Sequence, residues 1–335
     1  MIGENINTAK IDLHLHFDGS IDIDWAYKTA KRENNCTLDF DQFYQSLYPA
    51  FVNRQLSIKK FDLTCALLQS EQALVESSYL LGKRLAESGM IYAEIRFASQ
   101  QHCQKGLTQK QAVQAVCYGL KQVEKQYPDI DLKVIDCMMH KSDSAKANEK
   151  ENFETIEVVK ELIGEKTVVG LDLAGYENNC ELMEYKPLFD KATEYGIPFT
   201  IHAGEMGNGM NVVTALSFNP ERIGHGINCV DDEKWFKAAI ESGKVFEVCL
   251  SSNCKDYNYI SHPVRKMIDN GIKVAICCDN MMFSRTFMQR EHQLLKDMAI
   301  SEKTLMQCNY NAIDGAFCDE QIKEKLRYKL KQLEL

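Results

Sequence analysis

No long apolar run occurs in this 335-residue chain: the longest unbroken one, Val274 to Cys278, is far short of the ~20 residues that cross a bilayer. The opening MIGENINTAK is polar and lacks the apolar stretch of an export signal. No stripe of lysine and arginine offsets a net charge of −9, so a phosphate backbone would be repelled and a general nucleic-acid binder is excluded. Prolines number only 6, and no linker, repeat or low-complexity tract divides the chain. A single domain over residues 1–335 is therefore expected. Cysteine is plentiful, at 13, but the number is odd and no Cys-x-x-Cys pair occurs. These are expected to be reduced core thiols of a cytoplasmic protein, the vicinal pair Cys277-Cys278 included. What remains is ordinary globular material, 45% hydrophobic and 26% charged.

Short apolar segments alternate with longer helical patterns. Strands are expected at Lys10–Phe17, Ile91–Phe97, Leu132–Met139, Val168–Ala174, Phe199–Glu205, Glu221–Gly226, Val245–Asn253 and Lys273–Asn280. Amphipathic stretches lie between them, such as Thr108–Gln126, Glu151–Ile163, Asp232–Ser242 and Pro263–Asn270, and Gly164, Gly196, Gly243 and Gly271 mark helix ends. Eight βα units in a chain of this length predict an α/β fold, a (β/α)8 TIM barrel; a doubly wound open sheet is the alternative. The irregularity is the stretch from about 21 to 90, far longer than one crossover needs. Its helical spacing (Phe61, Cys65, Leu68, Val75) predicts a helical insertion between the first and second strands, over the barrel mouth where lids belong.

The first strand carries chemistry. In Ile11-Asp12-Leu13-His14-Leu15-His16-Phe17 the apolar residues alternate with Asp12, His14 and His16, so two imidazoles share one face. A half-exposed edge strand has the same pattern. The fifth segment ends in His202-Ala203-Gly204-Glu205, the sixth in Gly224-His225-Gly226, and the eighth in Asp279-Asn280. Histidines and a carboxylate gathered at strand ends form a plausible N/O ligand set for a divalent metal such as zinc.

Taken in order, His14-Leu15-His16-Phe17-Asp18-Gly19, His202-Ala203-Gly204-Glu205, Gly224-His225-Gly226, Ser251-Ser252-Asn253 and Asp279-Asn280 resemble the motifs of the adenosine deaminase family, within the metal-dependent amidohydrolase superfamily. Glu94-Ile95-Arg96-Phe97 and Asp172-Leu173-Ala174-Gly175 are similar to its second- and fourth-strand segments. The resemblance implies one Zn2+ per chain on His14, His16, His202 and Asp279. It implies a catalytic group of Glu205, His225 and Asp279, in which Glu205 protonates purine N1 while zinc-activated water, oriented by His225, attacks C6. Substrate would be bound by His16, Asp18 on a ribose hydroxyl, the Gly175 backbone on N3, and Asn280. The implied reaction converts adenosine and 2′-deoxyadenosine to inosine and 2′-deoxyinosine plus ammonia. The implied partner is a small purine nucleoside, with no nucleic acid and no membrane; the oligomeric state stays open.

Asn280 departs from the Asp-Asp that many family members carry. The family's second carboxyl must be protonated to donate to purine N7, whereas an amide has N–H donors at any pH. Val169 to Glu177 contains no lysine of the kind that bridges two metals in related enzymes, which favours a single ion. The Pro-Cys-x-x-Cys signature of the unrelated zinc deaminases is absent. An adenine or modified-adenosine deaminase, or a catalytically silent nucleoside-binding homologue, are the alternatives. The glycine-dotted Gly204–Asn211 segment could offer N–H groups to an anion, but a flexible loop is the simpler expectation. His140 is expected at the surface or behind the site, His102, His262 and His292 have no assigned role, and 320–335 is expected to be a solvated closing helix.

Overall fold

The structure is a computed structural model that describes residues 10–33, 36–47, 54–141, 143–254 and 258–333, with only the backbone of 54–60 and 333. The first nine residues and the last two of the expected C-terminal helix lie outside the described residues. Strand β1 (Lys10–His16) is followed by four helices, α1 (Ile23–Glu33), α2 (Phe40–Ser46), α3 (Arg54–Leu67) and α4 (Glu71–Glu87). Thereafter strand and helix alternate: β2 (Met90–Phe97), α5 (Gln109–Gln126), β3 (Asp131–His140), α6 (Glu149–Leu162), β4 (Val168–Gly175), α7 (Lys186–Glu194), β5 (Thr200–Ala203), α8 (Met210–Ser217), β6 (Arg222–His225) and α9 (Glu233–Ser242). The last repeats are β7 (Val245–Val248), α10 (Leu250–Asn253), α11 (Val264–Asp269) and β8 (Lys273–Ile276), then α12 (Met288–Asp297), α13 (Glu302–Gly315) and α14 (Glu320–Leu333).

All strand pairings are parallel, in the orders β1-β2-β3-β4 and β5-β6-β7-β8. The two sheets meet at Leu171↔Phe199 and at Leu15↔Asp279, where His16 N donates to Asp279 O and Asp279 N to His14 O, both at 2.8 Å. These contacts close the (β/α)8 barrel. Closure brings residues 14 and 279, at opposite ends of the chain, to one rim.

Local sequence explains the helix ends. Thr108 begins α5 with a capping box to Gln111, satisfying otherwise orphaned N–H groups, and Asp232 caps α9. Three of the four expected terminal glycines, Gly196, Gly243 and Gly271, adopt positive φ. Gly164 does not; it lies in a short 3-10 turn, and Lys166, at φ 61°, makes the left-handed exit instead.

Strands five to eight are shorter than their apolar runs. The chain leaves the sheet at Gly204 (φ 66°) after β5, while His225, the last residue of β6, has φ 60° and Asp279 past β8 has φ 59°. The expected strand through Asn253 stops at Val248, and residues 250–253 form α10. Apolar continuity marked burial there, not extension. Helix α14 is also more than a solvated cover. Leu326 and Leu330 are fully buried in a cluster with Ile11, Leu13 and Tyr92 from the first two strands.

Candidate active site

Four donors converge at the rim. His16 Nε2 lies 3.2 Å from His202 Nε2, and Asp279 Oδ1 lies 3.4 Å from His16 Nε2 and 3.6 Å from His14 Nε2. Donor separations of this size are those of a tetrahedral site with bonds of about 2.0–2.2 Å. Two ring nitrogens cannot face each other at such range without a proton or cation between them, and His14 Nε2 is buried with no hydrogen-bond partner. Burial, reinforced by nearby positive charge, holds His14 and His16 well below the ordinary imidazole pKa, so both rings are neutral as ligands must be. The residues present fit a divalent metal.

Carboxylates behind the rings set the tautomers. Glu247 Oε2 accepts from His14 Nδ1 at 2.7 Å, and Asp172 Oδ2 lies 2.9 Å from His202 Nδ1. With its proton on Nδ1, His14 Nε2 keeps its lone pair for the cation. At His202 burial works against the charged ring but Asp172 outweighs it and raises the pKa, so a cation binding there also displaces a proton. His225 has the opposite arrangement. Its Nδ1 accepts from Asn253 Nδ2 at 3.1 Å, which leaves the proton on Nε2, 3.8 Å from Glu205 Oε2. His225 lies close enough to His14 and His202 to be grouped with them as a ligand, but this tautomer makes it a donor. Burial pushes its pKa down to about 4, so at neutral pH it is an uncharged donor.

Below the donors the barrel interior holds a fully buried ion network. Arg96 bonds Asp172 at 2.8 Å and Glu247 at 2.9 Å; Arg222 bonds Glu247 at 2.5 Å and Glu94 at 2.6 Å. Three carboxylates against two guanidiniums leave one excess negative charge beneath the rim, which suits a cation above it.

Several residues close to the site had no role assigned from sequence. Asn253, from the Ser-Ser-Asn segment, also donates to Glu205 Oε1 at 3.3 Å and so ties Glu205 to His225. Ser252 donates to Asp279 Oδ2. Glu177, two residues past Gly175, accepts from Gly204 N (2.8 Å), Glu205 N (2.7 Å), Met206 N and Gly207 N (2.6 Å), and from Asn211 Nδ2 (2.9 Å). The segment expected to be a flexible loop is therefore an anion nest, filled by the chain's own carboxylate. Burial opposes ionisation, but these donors win and hold Glu177 below the usual carboxylate range. No spacing rule pairs a glutamate with N–H groups nearly thirty residues on, which is why the sequence hid it. Glu177→Ala leaves those amides to water, and we expect a loss of about 1–3 kcal/mol in denaturant unfolding. An unchanged midpoint would contradict the nest.

Asp18, Gly175 and Asn280 lie around the same mouth. Asn280 Nδ2 donates to Asp279 Oδ1 at 2.6 Å, which fixes the amide beside the metal-site carboxylate. A Cβ on Gly19 would lie 1.8 Å from Asn280 Oδ1, so only glycine allows that approach. Gly175 sits at φ 105°, where a Cβ would come 2.7 Å from His140 O. His140 is itself buried, its ring 4.3 Å from that of Tyr185, rather than at the surface. His102, His262 and His292 are buried too.

Residues 9–333 match the family described as adenosine deaminase. The chain belongs to the adenosine deaminase family. The adenosine deaminase of Haemophilus ducreyi is 34% identical over 334 residues, covering 96% of this chain and 95% of that protein. Among solved structures, the adenine deaminase of Arthrobacter aurescens is similar with TM-score 0.85 at 23% identity, covering 97% of this chain and 98% of that one. A Burkhoderia ambifaria amidohydrolase with bound Zn is similar with TM-score 0.83 at 20% identity, covering 98% and 92%. The fold is thus that of the amidohydrolase TIM-barrel deaminases, and the chain is a hydrolytic deaminase acting on adenosine-type substrates. In this deaminase the His/Asp cluster is a candidate metal site of the kind the family's metalloenzymes use. Among the described residues, no helix is long and apolar enough to cross a membrane.

Proposed function

We propose that this deaminase hydrolyses adenosine and 2′-deoxyadenosine to inosine and 2′-deoxyinosine with release of ammonia, and that one zinc sits on His14, His16, His202 and Asp279. The observation that carries the proposal is the convergence of those four donors beside the Glu205–Asn253–His225 cluster. Bound there, zinc supplies a water of pKa ~7, and with it a nucleophile at neutral pH.

The chain's own groups do the rest. Glu205 gives its proton to purine N1, which drains electron density from C6 and opens it to attack. Asp279 takes the proton that the attacking water loses. His225 donates from Nε2 to the oxygen joining C6, and its neutral state spares the site a positive charge beside the cation. Asp279 then passes that proton to the amino group, the C6–N bond breaks and ammonia departs, and return of the hydroxyl proton to Glu205 leaves the 6-oxo purine. Substrate is held by the Gly175 N–H on N3, Asp18 on a ribose hydroxyl and the second N–H of Asn280 on N7. Phe61, on α3, packs edge-on to Phe283 at 5.0 Å and lies 6.3 Å from the His16 ring, which suits a lid role for the insertion at 21–90. The thirteen cysteines are all free, in keeping with a cytoplasmic enzyme.

The deciding measurement is the ultraviolet change when zinc-loaded protein meets adenosine, adenine and AMP in separate assays. Adenosine turnover is the expected result. Preference for adenine would transfer the proposal to that substrate, and turnover of none of the three would sink it. For N7, Asn280→Leu removes one hydrogen bond, so kcat/KM on adenosine should fall about tenfold, the equivalent of ~1.4 kcal/mol. Unchanged efficiency would show that Asn280 does not read N7.

A further inference from the structure

Beside the four-donor cluster, sharing no residue with it, lies a second group. Asp18 from the β1 exit, Cys65 from α3 and His102 from the turn after β2 place their ligand atoms within 4.8 Å of one another, and all three are buried. Cys65 Sγ is 3.7 Å from Asp18 Oδ2, and His102 Nε2 is 4.0 Å from the same oxygen. A tetrahedral ion with bonds of about 2.3 Å to sulfur and 2.0–2.1 Å to nitrogen and oxygen sets sulfur and oxygen about 3.5 Å apart and nitrogen and oxygen about 3.4 Å apart, so Cys65 and Asp18 stand close to the required separation and the His102 ring closes in by roughly half an ångström on binding.

Two further observations point to a ligand. His102 Nε2 and Asp18 Oδ1 are buried with no hydrogen-bond partner. The His102 ring is also oriented from behind: Nδ1 donates to Leu68 O at 3.0 Å, so the lone pair sits on Nε2 and faces the cluster. Gln101 Oε1, 3.3 Å from Cys65 Sγ, is placed to complete the shell. The thiolate and the carboxylate together neutralise a dication, the thiol proton passing to solvent.

We propose that Asp18, Cys65 and His102 form a second, inhibitory site for a thiophilic divalent cation of the zinc class. Sulfur, imidazole and carboxylate together select such an ion over magnesium or calcium. Occupancy ties α3 to the first two strands and takes Asp18 away from the substrate. The inhibitory part rests on the role proposed for Asp18; the binding part does not.

The test titrates zinc-loaded enzyme with cadmium. Bound metal is counted by equilibrium dialysis with elemental analysis, and the cadmium–thiolate charge-transfer band is followed in the ultraviolet. The expected result is retained zinc, one added cadmium with the thiolate band, and loss of adenosine deamination as it binds. In Cys65→Ser the band should vanish, and both Cys65→Ser and His102→Gln should weaken the added equivalent by more than about tenfold. His102→Gln keeps the test open if the serine variant misfolds. No added equivalent, or one whose affinity neither variant changes, overturns the site. An added equivalent with the band that leaves turnover intact overturns inhibition alone. A protein that turns over no adenosine would undo the proposed function, while the stoichiometry and the band would still report on this site.

Discussion

Under the proposed mechanism, Glu205→Gln is expected to retain zinc and lose about 10²–10⁴-fold of kcat on adenosine, the range for removing a general acid. The amide fills the same volume and can still donate a hydrogen bond, but it cannot hand over a proton. Substrate should therefore bind with KM changed far less than kcat. Metal content should not change, because the donors at the rim are His14, His16, His202 and Asp279. The backbone N–H of residue 205 still bonds Glu177 at 2.7 Å, so the loop keeps its shape. Asn253 bonds both Glu205 and His225, so its loss disturbs two groups at once, and Asn253→Ala should lower kcat without releasing metal. Kinetics on adenosine alongside metal analysis test both variants. A Glu205→Gln enzyme within a few-fold of the parent would remove Glu205 from proton transfer.

The period-two pattern of Lys10–His16 was legible because β1 is buried on both faces and has only one register that sends the apolar residues outward. The same holds for the eight βα units and for the long helical insertion. What sequence hid depends on contacts between distant residues. The Phe199–Glu205 run reads as one strand, yet the chain turns at Gly204 because four successive amides fold around Glu177. His225 and Asp279 pass for ordinary strand residues, but each takes a positive φ that non-glycine residues rarely adopt. Such backbone is held only by its surroundings, for Asp279 the junction of the two sheets and for His225 the pairing with Ala203 at the end of β5. The interior arginines were invisible for a related reason. Arg96 lies between Ile95 and Phe97 and Arg222 between Glu221 and Ile223, and only barrel closure shows that they point at Glu94, Asp172 and Glu247.

Glu247→Ala is expected to be the most damaging substitution away from the reacting atoms. This side chain is fully buried and makes three charge-assisted contacts: Oε2 with His14 Nδ1 at 2.7 Å and Arg96 at 2.9 Å, Oε1 with Arg222 Nε at 2.5 Å. Removing one member of a buried ionic network costs about 3–5 kcal/mol, because the remaining charges cannot recover water. The second consequence concerns the metal. Without Glu247 nothing fixes the His14 proton on Nδ1, and the ring can turn its N–H toward the cation; losing such an orienting partner typically costs about 10–100-fold in metal affinity. Because bound metal stabilises only the folded state, the two losses compound in zinc-loaded protein. Chelator competition and urea unfolding, each with and without zinc, separate them. Glu247→Gln divides the contributions further: the amide oxygen can still accept from His14 while the charge that Arg96 and Arg222 share is gone. It should therefore recover more metal affinity than stability. Equal recovery of both would mean that Glu247 acts on the metal only through the fold.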